Sequence, residues 1–145
     1  MHRLTERLNG MSAYGFEKLE FTIGGFFGGW CELTIERNDG GAFEWSASHS
    51  EERLSRRERR GKLCQKDEAG LFRCIDEADV FNWYRFYHDP DICDGTSWSI
   101  QISSKARIIF ESEGINSYPK GFDRLIEGLG RCGLPQCEAE ACYAE

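Results

Sequence analysis

The chain has 145 residues, the length of one domain, with 40% hydrophobic and 13% aromatic residues. A domain of this size buries about 68–70% of its unfolded surface, so general disorder is excluded. The formal charge of −7 argues against bulk affinity for nucleic acid, and no stretch approaches the ~20 apolar residues of a membrane helix.

Residues 1–14 are polar and read as a flexible or short helical N-terminus through Leu4 and Leu8. They hold no apolar run fit for a signal peptide, so a cytoplasmic location with reduced thiols is expected. Residues 15–133 read as a single α+β domain. In FEKLEFTIGG, Leu19, Phe21 and Ile23 alternate with Lys18, Glu20 and Thr22, the period of a half-buried strand. GGFFGG then breaks it with a turn that presents aromatics. WCELTIER alternates again through Cys31, Leu33 and Ile35. NDGG is a hairpin signal, because Asn and Gly tolerate positive φ, and AFEWSAS continues with Phe43 and Trp45 on one face. Residues 16–48 therefore predict a three-stranded antiparallel meander.

Residues 53–66, RLSRRERRGKLCQK, hold seven basic residues against Glu58 alone. That is six net positive charges in fourteen residues, leaving thirteen net negative charges for the remainder. With few apolar anchors, the segment at about 50–66 reads as a mobile basic connection. A helix is expected from Asp67, as N-cap, through Leu71, Cys74 or Ile75, and Ala78, ending near Phe81 to Tyr84. DPDICDGT reads as a loop of turn formers. SWSIQIS and ARIIFES predict a second hairpin. Pro119 suits the first turn of a closing helix, in which Phe122, Leu125, Ile126 and Leu129 recur at i, i+3, i+4 and i+7. Residues 134–145 form an acidic, Cys-containing tail. The expected order is βββ-α-ββ-α, an antiparallel sheet of about five strands with two helices packed on one face.

Chemistry-bearing motifs are sparse. Asp89, Asp91, Asp94 and Gly95 have a superficial calcium-loop look, but the third acid falls at position 6, the Gly at 7, and Ile100 stands at 12, where a bidentate acid is required. A local turn closed by Asp side chains is the better reading. Seven cysteines are present without a C-x-x-C pair. Cys132, Cys137 and Cys142 in CGLPQCEAEAC are spaced more widely than zinc knuckles; Cys31 and Cys74 read as small core hydrophobes. No metal or cofactor is expected. Glu111 and Glu113 share a strand face without a companion His, and His88 lies beside the Asp cluster. No G-x-S-x-G motif, Cys-His neighbour or phosphate loop appears, so catalysis is not the expected role.

Trp83 and Tyr87, then Asp94, Gly95, Thr96 and Trp98, then Gly114, Asn116, Tyr118, Pro119 and Phe122 form a W-x-x-x-Y … D-G-T-x-W … G-x-N-x-Y-P-x-x-F pattern. It covers about a third of the chain and resembles a pattern of small bacterial proteins with no established activity. The resemblance implies a fold element and nothing catalytic.

The leading expectation is a non-enzymatic cytoplasmic binding protein that regulates or inhibits another macromolecule, as an immunity or anti-defence inhibitor or adaptor does. Arg56, Arg57, Arg59 and Arg60 would supply the electrostatic contact, and Phe26, Phe27 and Trp30 the anchors. The partner would be another protein. A nucleic-acid module using the same Arg run with stacking aromatics is the alternative. A metal- or thiol-dependent enzyme on Cys132, Cys137, Cys142 and His88 comes third.

Overall fold

The computed structural model describes residues 16–25, 30–50, 57–89, 91 and 95–131, with backbone alone at 49, 50, 57 and 58. The alternations become strands β1 (Lys18–Gly25), β2 (Trp30–Arg37) and β3 (Phe43–Ser50). In each, the apolar set turns to one side: Leu19, Phe21 and Ile23 are buried, as are Cys31, Leu33 and Ile35. The NDGG turn closes as expected. Asn38 Oδ1 accepts from the N–H groups of Gly40 and Ala42 at 2.9 and 3.1 Å, and Gly41 supplies φ +89°.

The basic segment departs from expectation. Residues 57–62 are no loose connection but strand β4 (Arg57–Lys62), paired antiparallel with β3. Its charged side chains hid it from a hydrophobic pattern, because an edge strand needs little apolar contact. That contact is supplied by Gly61, where a Cβ would lie 2.7 Å from the Trp45 indole, and by buried Leu63 just beyond the strand.

Helix α1 (Gln65–Glu77) starts two residues before the expected Asp67 N-cap; Cys64 is the N-cap, and Asp67 and Glu68 sit in the first turn, where acids favour the helix dipole. It also stops earlier than expected. Asp79 turns left-handed at φ 58°, and a 3-10 turn (Val80–Asn82) tucks Val80 and Phe81 into the core. Residues 86–88 then form β5 (Phe86–His88), followed by β6 (Thr96–Ser104), β7 (Arg107–Ile115) and helix α2 (Phe122–Arg131).

Among the described residues the sheet has seven strands rather than about five, in the order β4-β3-β2-β1-β6-β7-β5. It is mixed, because β5 pairs with β7 in parallel. Both helices cover one face, as expected. They approach closely where Gly128 of α2 meets Cys74 of α1: a Cβ on Gly128 would lie 2.2 Å from that of Cys74. The buried residues of both helices, among them Leu71, Ile75, Leu125 and Leu129, join the strands' apolar set in one core.

The residues of the sequence pattern meet at one end of this core. Trp98 packs on Trp83, Tyr87 and Phe122, with ring centroids 5.8, 5.9 and 5.1 Å away, and Tyr118 lies 4.9 Å from Phe122. The polar handles are satisfied, as buried indoles require. Trp98 Nε1 donates to the Ser117 carbonyl at 2.9 Å and Trp83 Nε1 to the Ala78 carbonyl at 3.0 Å. Gly121 is needed at φ +98° beside that same carbonyl, 2.4 Å from where a Cβ would stand.

Candidate interaction surface

The face of the sheet opposite the helices has no described element over it. Register defines its composition. One row runs Arg60, Ser46, Thr34, Glu20, Gln101 and Glu111 from β4 to β7, and the next Ser48, Glu32, Thr22, Ser99, Glu113 and Phe86 from β3 to β5. At its centre Thr22 and Ser99 share a hydrogen bond at 2.8 Å, flanked by Glu20, Glu32 and Gln101.

The apolar exposure is concentrated on this side. Among the described residues, the exposed large apolar side chains are Trp30, Tyr84, Phe86, Ile108 and Ile115. Register sets Trp30, Ile115, Ile108 and Phe86 on the helix-free face. Tyr84, 74% exposed, lies just before β5, its ring stacked on Tyr87.

Trp30 lies flat across its neighbour. A Cβ on Gly24 would fall 1.8 Å from the Trp30 ring, so only Gly lets the indole rest on β1. Its Nε1 donates to Glu32 at 3.2 Å. From Gly24 the same row continues through Ser97 to Ile115 and His88. At strand spacings of about 4.8 Å, Trp30 and Phe86 bracket an end of the face roughly 20 Å wide, floored by small residues. At the far side, Arg85 stacks over the Phe86 ring at 4.4 Å and pairs with Glu111 and Glu113 at 3.4 and 3.6 Å. Trp, Tyr and Arg are the side chains enriched in binding hot spots.

The site residues expected from sequence are divided. Phe26, Phe27, Arg56, Cys132, Cys137 and Cys142, with Asp94 of the acidic loop, lie outside the described residues. Trp30 is exposed, as an anchor must be. Arg57 occupies β4, paired with His49. Arg59 and Arg60 are both exposed but emerge on opposite faces: Arg59 shares a row with Ala47 on the helix side, Arg60 with Ser46 on the open side. A strand's two-residue period cannot aim neighbours the same way. Tyr84, Arg85, Phe86 and Ile115 are not among the site residues expected from sequence: the first three stand in the aromatic run NWYRFY that reads as the end of a helix, and Ile115 in GINSYP, which reads as a turn.

Chemical machinery does not converge. Among the described residues no group of three or more His, Cys, Asp or Glu could hold a metal ion. A depression of about 400 Å³ is lined by residues 118–124 only, one continuous segment rather than groups brought together from several elements. Glu111 and Glu113 are engaged by Arg85, and His88 stands exposed on β5 rather than in a loop. Asp89 closes a local turn, its Oδ1 accepting from Asp91 N–H at 3.1 Å.

Cys74 is buried and not disulfide-bonded, as expected of a core residue, its Sγ donating to the Leu71 carbonyl at 3.2 Å. Cys31 is buried but disulfide-bonded, which corrects its reading as a plain core thiol. Neither Cys64 nor Cys74 is disulfide-bonded. No helix among the described residues is long and apolar enough to cross a membrane. No family model matches the chain, and no curated protein matches it.

Proposed function

We propose that this is a non-enzymatic binding protein that regulates or inhibits a partner protein through the helix-free face of its sheet. One observation carries the reading. Four of the five exposed large apolar side chains of the described residues, Trp30, Phe86, Ile108 and Ile115, gather on that face, and the fifth, Tyr84, stacks on Tyr87 beside the β5 edge. Apolar exposure rimmed by charge marks interaction sites on soluble domains. Trp30, Phe86 and Ile115 are the anchors of this reading, and Arg85 the charged rim. This moves the centre of the expected contact away from the Arg run and keeps only Trp30 of the original anchors.

The cytoplasmic location belongs to the same proposal, and the Cys31 disulfide weighs against it, because cytoplasmic reductants keep thiols free. The test is capture of partners from nuclease-treated lysate, followed by reconstitution with the purified partner. A Phe86→Asp, Ile115→Asp variant should bind that partner at least tenfold more weakly, about 1.4 kcal/mol. Equal affinity would remove the face from the site, and a partner lost on nuclease treatment would favour a nucleic-acid target.

A further inference from the structure

The split of Arg59 and Arg60 between two faces makes little sense for a partner that docks on either face alone. It does suit a partner that docks on the edge. β4 is the terminal strand of the sheet, and nothing among the described residues pairs with its outer side.

The direction of its backbone follows from one hydrogen bond. Leu63 N–H donates to the Phe43 carbonyl at 3.0 Å, in the same register as the pair of Lys62 with Glu44. Bonding pairs alternate along an antiparallel ladder. Gly61 and Arg59 therefore turn their backbone groups toward β3, and Lys62 and Arg60 turn theirs outward.

A strand added along this edge would send its own side chains alternately to the two faces. It would meet Arg59 on the helix side, and Arg60 and Lys62 on the open side. All three are exposed. Basic side chains on both faces of one edge complement an extended segment that is acidic on both of its faces. The same charges oppose a second copy of β4, since like charges on adjacent strands repel.

We propose that the outer edge of β4 accepts an extended acidic segment of a partner protein as an eighth strand of the sheet. The mode is β-augmentation, in which main-chain hydrogen bonds supply affinity and side chains on alternate faces supply selectivity. It uses a different surface from the apolar end of the open face and goes beyond the reading above.

The test uses the full chain and a synthetic peptide of about eight residues, somewhat longer than the usual strand of 5–6, alternating Glu with Val or Thr and carrying Asp at intervals. A basic peptide of the same pattern and a single-stranded oligonucleotide serve as competitors. Lys62→Gln removes a charge and keeps the outward N–H. Lys62→Pro removes the N–H as well, at a position where β3 does not use it. Each variant's thermal midpoint reports whether it folds.

Titration should show one acidic peptide bound per chain, with slower amide exchange at Arg60 and Lys62. Affinity should fall modestly in Lys62→Gln and about tenfold further in Lys62→Pro, the size of a lost charge-flanked hydrogen bond. Arg59→Glu should weaken binding although it lies on the other face. Equal binding of the basic peptide or the oligonucleotide, equal affinity of the two Lys62 variants, or no binding at all overturns the proposal. In the last case the charges serve only to keep the edge from aggregating.

Discussion

Asn116 and Thr96 hold each other by two hydrogen bonds: Asn116 N–H donates to the Thr96 carbonyl at 2.9 Å, and the Asn116 side-chain Oδ1 accepts from Thr96 N–H, also at 2.9 Å. The pair mimics a rung of antiparallel sheet after β7 has ended, with a side chain standing in for backbone. It is possible because Asn116 adopts φ 58°, a conformation Asn tolerates better than most residues. It joins the two halves of the D-G-T-x-W … G-x-N-x-Y-P-x-x-F pattern by tying the start of β6 to the residue just after β7.

Asn116→Ala should therefore lose two things at once, an acceptor for a buried N–H and a residue suited to positive φ. The expected cost is about 2 kcal/mol or more. Asn116→Gly should cost less, since it keeps the backbone conformation. Gly95→Ala would bring a Cβ to 1.4 Å from Asn116 Oδ1, so its penalty should shrink in the Asn116→Gly background. Urea denaturation of the singles and the double gives the coupling, expected at about 1 kcal/mol for residues in contact. Strict additivity would show that the two do not meet.

Gly114 and Trp98 give a second test of the same end of the core. A Cβ on Gly114 would lie 2.4 Å from Trp98 Nε1 and 2.7 Å from the Ser117 carbonyl. Gly114→Ala must displace the buried indole and should destabilise by about 3 kcal/mol, at the upper end of overpacking costs. Trp98→Phe strands the Ser117 carbonyl and should cost about 1–3 kcal/mol. The double variant should lose less than the two singles together, because the smaller ring makes room for the methyl.

The disulfide of Cys31 is directly measurable. Non-reducing peptide mapping of the unreduced protein should recover the Cys31 peptide joined to another cysteine peptide, with Cys64 and Cys74 alkylated as free thiols. Alkylation should reach exposed Cys64 readily and Cys74 only on unfolding, because Cys74 is 5% exposed. Recovery of alkylated Cys31 from native protein would restore the reduced-thiol expectation.

Substitutions on the open face should separate binding from folding. Phe86 and Ile115 are 63% and 48% exposed, so Phe86→Asp and Ile115→Asp should each shift stability by no more than about 0.5 kcal/mol, the usual range for surface sites. Arg85→Ala should cost about 0–1 kcal/mol, since its ion pairs with Glu111 and Glu113 are half-exposed. Thermal unfolding measures the first quantity and affinity for the captured partner the second. A large stability loss in all three would assign these residues to the fold rather than to a surface for binding.

The sequence alone determined the elements whose signal is local. Alternation at Leu19, Phe21 and Ile23, turn chemistry at Asn38 to Gly41, and the helical spacing of Phe122, Leu125, Ile126 and Leu129 each act over a few neighbouring residues, so β1–β3, β6, β7 and α2 were legible. The placement of both helices on one face followed from the need to bury two apolar stripes. Tertiary structure decided what depends on partners distant in the chain. β4 is a strand because β3 offers it a ladder and Trp45 covers its glycine, although its own residues are almost all charged. β5 exists because β7 accepts three residues that would otherwise read as the end of a helix. The same pairings determine which way Arg59, Arg60, Phe86 and Ile115 face. A side chain's direction on a strand is set by register, and register is a property of two segments, fixed only when they meet.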